Sequence, residues 1–271
     1  MDSVKRAEGF LALHHGDSPL LIPNPWDAGS ARVLASIGFR ALATTSSGFA
    51  ATLGRLDGSV SRDEALAHAA AIVEATELPV SADLENCFAE DAAGVGETVR
   101  LAIETGLAGC SVEDSTGQAE SPIFELGEAV DRVAAAAEAA HSGSVHFVLT
   151  ARSENYLHGR PDLGDTISRL QAFEEAGADV LYAPGPTDLG EIRSIVESVG
   201  LPVNVLARAG APSVTELASV GVRRISVGGA FAFAALGALV EAAEELMTEG
   251  TYGYFARVAV GSKAAQESFG T

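Results

Sequence analysis

Lysine is almost missing from this chain. Two occur, Lys5 and Lys263, both near the ends, against fifteen arginines in 271 residues. None falls where a barrel would build its active site, which speaks against a Schiff-base aldolase and a pyridoxal enzyme. Cysteine is as scarce: Cys87 and Cys110 make neither a disulfide framework nor a zinc site. Positive charge is short overall, with a formal net charge of −20. Nucleic acid is therefore not expected as a partner, because its phosphates want Lys and Arg. No uninterrupted apolar run of about 18 residues occurs, so no membrane span is expected. The opening MDSVKRAEGFLALHHGDS has no apolar signal-peptide core. A reducing cytoplasm is the expected compartment.

What is abundant is apolar surface and glycine: 47% of residues are hydrophobic and 29 are Gly. Short apolar runs alternate with Ala/Leu/Glu-rich helical patterns. Strands are expected over 20–24, 41–47, 79–86, 109–114, 145–153, 179–184, 202–207 and 223–229. Helices are expected over 26–38, 61–76, 94–106, 127–142, 165–177, 187–199, 213–221 and 232–250. Ser61 and Glu64 have capping-box spacing. Helix–Gly–strand spellings recur, as in SIGFRALAT and EAGADVLYA. Eight strand–helix units in about 250 residues are the rhythm of a (β/α)₈ TIM barrel. The rival α/β fold, a doubly wound sheet, wants a Gly-rich first turn that is absent here. An opening helix at 3–14 precedes the units, and a final helix at 253–268 has no strand to follow. With no linker or compositional break, residues 1–271 read as a single domain.

Barrel active sites form at the C-terminal ends of the strands. There PVSADLEN (79–86) ends in Asp83 and Glu85, and GCSVED (109–114) ends in Glu113 and Asp114. Alternation along a strand puts Asp83 and Glu85 on one face. Carboxylates clustered on neighbouring strand ends suit a hard cation such as Mg²⁺, which takes oxygen ligands and keeps several waters. Arginines follow strands five and seven, so a metal on one side and an organic acid lying across to the other fit this distribution. Tyr182 and Asn204 are expected to face the mouth and the substrate.

Five motifs fall in order along such a barrel: PNPWDAGSARVL, TTSSG followed by LGRLDGS, ADLEN, SVEDS and TARSENY. Together they resemble the isocitrate lyase/phosphoenolpyruvate mutase superfamily, in its small members of roughly 270–300 residues. The resemblance covers nearly the whole chain. It implies chemistry beside a 2-oxo acid, making or breaking a C–C or C–P bond through an enolate-like state held by Mg²⁺, with Mn²⁺ as a substitute. It implies Asp83 as the direct metal ligand, with Asp57, Glu85 and Glu113 acting mostly through waters. Ser46, Ser47 and Gly48 would offer backbone N–H groups to a substrate carboxylate, and Arg152 would grip a second one. Arg152, Asp57 and Asp83 are thus the catalytic candidates. A homodimer or homotetramer is also implied, since the last helix is often exchanged between neighbours in this superfamily.

The departures matter as much. The isocitrate lyases carry a Lys-Lys-Cys-Gly-His loop after the fourth strand, and the phosphonate enzymes a Lys-bearing one. Here STGQAESPIFEL (115–126) has no Cys, His or Lys. The expected function is therefore a Mg²⁺-dependent lyase on a 2-oxo or 2-hydroxy di- or tricarboxylate, oxaloacetate decarboxylation included. A C–P enzyme acting on a phosphonate and a non-catalytic ligand-binding barrel are the alternatives. His158 is the one histidine placed near the mouth and is a candidate acid/base group. Cys87 reads as unreactive and Cys110 as core. Asp27 reads either as a helix cap or as a lining residue, and Arg208 as a second contact for an acid group. Gly228 and Gly229 offer a phosphate cradle as the rival to close packing.

Overall fold

The computed structural model describes residues 3–270. Its elements are α1 (Ser3–Leu13), β1 (Leu20–Ile22), α2 (Ala28–Ile37), β2 (Leu42–Ala43), α3 (Ser46–Thr52), α4 (Arg62–Ala75), β3 (Val80–Asp83) and α5 (Ala92–Glu104). They continue with β4 (Gly109–Glu113), α6 (Leu126–His141), β5 (Val148–Arg152), α7 (Leu163–Glu175), β6 (Val180–Tyr182) and α8 (Leu189–Glu197). The chain ends with β7 (Val203–Leu206), α9 (Val214–Ser219), β8 (Arg224–Ser226), α10 (Ala230–Thr248) and α11 (Phe255–Phe269).

All eight strands run parallel, in the order β1-β8-β7-β6-β5-β4-β3-β2. The seam between β1 and β2 is drawn together by Ala43 N–H donating to Pro23 O at 3.0 Å. The result is the expected (β/α)₈ barrel. Helix boundaries follow their caps. Ser61 and Glu64 form the expected capping box on α4. Gly38 and Gly177 end their helices at φ +105° and +100°, a region open to glycine at no steric cost.

Side chains alternate between the lumen and the helix layer. Outward residues such as Leu42, Val80, Cys110, Leu149 and Leu181 make the main core with α2 and α4–α7. Cys110 is core, as expected. Leu20, Ala43, Val148 and Val180 point inward and pack at the barrel's foot around Phe10 of α1, which is fully buried. Above this apolar plug the lumen turns polar, with Ser81, Ser111, Thr150, Asn204, Arg224 and Ser226 all buried.

The strands are shorter than the apolar runs. Residues 44–47 do not extend β2: Thr45 caps Gly48 N–H and α3 begins at Ser46. β3 ends at Asp83, and the backbone turns left-handed at Glu85 (φ +50°), Cys87 (+62°) and Phe88 (+54°). Glu85 therefore reaches the mouth from a turn, and not by strand alternation. Three non-glycine residues held in this region mark a segment whose conformation is imposed by its surroundings.

The helix expected at 253–268, and expected to be exchanged with a neighbour, is present as α11 but packs within its own chain. α11 lies on α2, with Ser268 Oγ 2.8 Å from Ser36 Oγ. α10 is different: Phe233, Leu236, Leu239, Val240 and Leu246 are all exposed, and Ala232 is its one buried residue. The outer face of β1 is left uncovered. Leu21 is 40% exposed there, an unusual state for a barrel strand. It lines a groove of about 510 Å³ with Leu13, Ile37 and Phe39. Among the described residues, no helix is long and apolar enough to cross a membrane.

Candidate active site

The C-terminal ends of β3, β4 and β5 meet in one knot of charge. Arg152 closes β5, in register with Glu113 of β4 and Tyr182 of β6. Its NH1 donates to Asp83 Oδ1 at 2.8 Å and lies 3.1 Å from Glu113 Oε2. Its Nε and NH2 donate to Glu154 Oε1 at 3.0 and 2.9 Å. The Tyr182 ring supports the guanidinium, with Cζ 5.2 Å from its centroid. Burial pushes the Tyr182 phenol up to about 12, against the opposing pull of Arg152 and a hydrogen bond with Ser226.

Asp83 is the most constrained of the acids. Ser46 donates to its Oδ2 from both backbone N–H (3.2 Å) and hydroxyl (3.1 Å). Asp83 N–H donates to Thr44 Oγ1 at 2.9 Å. The α3 turn thus fixes the carboxylate's direction while Arg152 supplies counter-charge.

The neighbouring acids share too little positive charge. Glu85 is raised to about 7, chiefly by burial, then by Asp83 and Asp57. Burial drives Glu113 well above the usual carboxylate range although Arg152 opposes it, with Glu154 and Asp83 adding to the rise. Asp57 sits on an exposed loop, but its carboxyl turns back toward Ser46 and Asp83. Partial desolvation and then Asp83 raise its pKa.

Three carboxylates, Asp83, Glu113 and Glu154, therefore contact the guanidinium of Arg152, and Asp57 and Glu85 lie close enough to Asp83 to feel its charge. Clustered oxygen ligands whose carboxyl pKa values are pushed upward by burial and by one another are the donor set that a hard divalent ion fits. Arg152 stands where part of that positive charge is needed.

The remaining expected residues are distributed as follows. Ser46, Ser47, Tyr182 and Asn204 line a cavity of about 180 Å³ together with Asp83 and Arg152. Gly48 is behind the wall: a Cβ there would meet Trp26 at 3.2 Å and Ala232 at 3.3 Å, so its smallness serves packing. Two of the three N–H groups expected to face substrate are engaged within the chain, Ser46 to Asp83 and Gly48 to Thr45. An outer vestibule of about 520 Å³ is walled by Asp57, Glu85, Glu113, Gln118 and His158. His158 is thus at the rim, as its position in the chain predicts.

Other candidates resolve into structure. Asp27 caps α2, accepting from Ser30 N–H at 2.6 Å. Arg208 is exposed and lines neither cavity. Cys87 is fully buried, and burial pushes its thiol up to about 12, the state of an inert cysteine. Val227 and Gly228 N–H both donate to Asn24 Oδ1 at 2.9 Å, which commits part of the expected phosphate cradle to the chain itself. Asp114 turns away from the mouth to Arg169 of α7 at 3.1 Å and accepts Glu154 N–H at 2.8 Å.

Glu154 is the residue that reading the sequence missed. It stands two positions after Arg152 within TARSENY, so the motif contained it. Its burial at 4% exposure, and its grip on two nitrogens of Arg152, are tertiary facts that periodicity does not carry.

Known proteins resemble this chain in sequence and in fold. The family model described as phosphoenolpyruvate phosphomutase matches residues 10–247. An uncharacterised protein of Mycobacterium tuberculosis is 30% identical over 222 residues, 81% of each chain. A solved structure from Burkholderia cenocepacia J2315, described as a lyase/mutase, superposes with TM-score 0.91 at 53% identity, covering 93% of this chain and 91% of that one. The structure of a 2,3-dimethylmalate lyase superposes with TM-score 0.82 at 28% identity, covering 92% and 89%.

Proposed function

This chain belongs to the phosphoenolpyruvate phosphomutase family, within the phosphoenolpyruvate mutase/isocitrate lyase superfamily of enzymes, and we propose that it is a Mg²⁺-dependent carbon–carbon lyase. Its substrate is a 2-oxo or 2-hydroxy di- or tricarboxylate. The observation that carries this reading is the cluster of five carboxylates at the barrel mouth, three of which share the one guanidinium of Arg152.

When bound, the cation draws electron density from the 2-oxo group and offsets the charge that grows there as the bond breaks. Asp83 would be its direct ligand, its carboxylate already aimed by Ser46. Glu85, Glu113 and Asp57 would hold its waters. Arg152 presents a planar donor fork to a carboxylate once the cation relieves it of part of its duty to the acids. Ser46 and Ser47 would meet the substrate from the cavity wall. Tyr182 supports Arg152 from below, and Asn204 lies beside it in register.

The 115–126 loop brings no Cys, His or Lys to this mouth. Loss of CO₂ from a 2-oxo-3-carboxylate asks least of such a loop. The C–C electron pair passes to the 2-oxo fragment, and a proton from water completes it. The test is a screen of oxaloacetate, 2-methylisocitrate and phosphonopyruvate that reads pyruvate release with Mg²⁺. Release from a carboxylate substrate supports the reading; release from phosphonopyruvate alone replaces it with C–P chemistry.

The working unit proposed is a homo-oligomer. The bare face of α10 and the uncovered Leu21–Ile37 groove are complementary in apolar character, and β1 adjoins β8 where a closing helix belongs. A second copy supplies each with its cover. Leu239→Glu is expected to shift the species seen by light scattering to a monomer. A monomeric wild type, or an unchanged variant, argues against exchange of this helix.

A further inference from the structure

Beneath the acid cluster lies a charge that the chain leaves unbalanced. Arg224 of β8 points into the lumen and is 4% exposed. Its NH1 donates to Thr150 Oγ1 at 2.9 Å, and Cζ lies 5.9 Å from the centroid of the Phe10 ring. Its Nε–H has no partner. Among the described residues, no carboxylate forms an ion pair with it. Burial pulls its pKa down to about 10 against the opposing pull of Tyr182, and Arg152 adds to the fall. A buried charge without a partner is among the costlier features a fold can keep.

Two more orphans share its surroundings. Ser81 Oγ and Asn204 Oδ1 are buried without hydrogen-bond partners. Arg224, Ser81 and Asn204 line the same cavity of about 180 Å³ as Asp83 and Arg152. Thr150, which holds Arg224, precedes Arg152 by two residues on one strand face, a separation of about 7 Å along the strand.

The two arginines differ in what they have left to offer. Arg152 is engaged by Asp83, Glu113 and Glu154. Arg224 keeps a free donor and no counter-charge. An anion entering the cavity meets carboxylates at the mouth and an unmatched guanidinium at the floor.

We propose that Arg224 receives a second carboxylate of the substrate, with the Ser81 hydroxyl as a further donor, and so selects four- or five-carbon dicarboxylates over short monocarboxylates. The identity of the substrate's upper end rests on the metal-assisted reading above; the role of Arg224 does not.

The test uses succinate, which has no 2-oxo group, titrated calorimetrically into the full-length protein without metal. Wild type is expected to bind it, and Arg224→Met to bind at least about tenfold more weakly, as for loss of a charge-assisted contact. The melting temperature of Arg224→Met is expected at or above that of wild type, because the variant discards an unpaired buried charge. Ser81→Ala, which removes only an unpartnered hydroxyl, serves if Arg224→Met does not fold, and is expected to weaken succinate several-fold. Succinate bound by neither protein, or equally by wild type and both variants, overturns the proposal. Oxalate with Mg²⁺ is titrated in parallel. Failure there with succinate discrimination intact sinks the metal-assisted reading and leaves Arg224 in its role.

Discussion

Asp83→Ala is expected to lower kcat/KM by about three orders of magnitude and to abolish Mg²⁺ binding. Electrostatic contacts aimed at developing charge often account for that much. The side chain lost is the one held from two sides, by Ser46 on Oδ2 and by Arg152 on Oδ1. The fold should survive, because Arg152 retains Glu113 and Glu154 as partners. Steady-state kinetics on the released 2-oxo acid, with a metal titration of the same variant, reads both losses. Turnover and metal affinity unchanged in this variant would remove Asp83 from the mechanism.

Arg152→Met should have the largest effect on stability. It strands Asp83, Glu113 and Glu154 around a missing cation, and breaking a buried pair costs about 3–5 kcal/mol. The cavity admits water, so the lower end applies, a fall in Tm of roughly 6–10 °C for a domain of this size. Mg²⁺ is expected to restore part of the loss by entering the same acids. Raised carboxyls set the pH dependence. Glu85, lifted from 4.5 to about 7, keeps in the folded chain a proton that the unfolded chain has shed. Its contribution in wild type is therefore full below about pH 4.5 and is lost as pH climbs through about 7, and in the variant, which lacks the lowering pull of Arg152, the loss moves to higher pH. Melts of the variant near pH 6 and pH 8, with and without Mg²⁺, check this. An Arg152→Met protein that melts like wild type, or that gains nothing from Mg²⁺, contradicts the picture of an under-compensated acid site.

Much of this site could be read from the chain because it sits at strand ends. Asp83, Glu113 and Arg152 each close an apolar run, and a parallel barrel brings such ends to one face. The expected meeting of Asp83, Glu85 and Glu113 beside Arg152 is what the fold delivers. The route taken by Glu85 was hidden, since a left-handed turn at a glutamate goes against local preference and is set by packing around Leu84 and Cys87. α3 was hidden as well: Thr44 to Ser47 look like strand, yet Thr45 acts as a cap. The lumen charge was illegible for a different reason. Arg223 and Arg224 are adjacent, alternation sends one to each face, and only the register with Asn204 and Leu20 decides which one is buried.

The most direct measurement is a calorimetric titration of oxalate, which resembles a planar 2-oxo acid enolate, into wild type with and without Mg²⁺. Binding should require the metal, disappear in Asp83→Ala, and release protons to buffer below about pH 7 as Glu85 and its neighbours ionise around the cation. Oxalate bound equally well without metal, or not bound at all when Mg²⁺ is present, would contradict a cation-centred active site in this barrel.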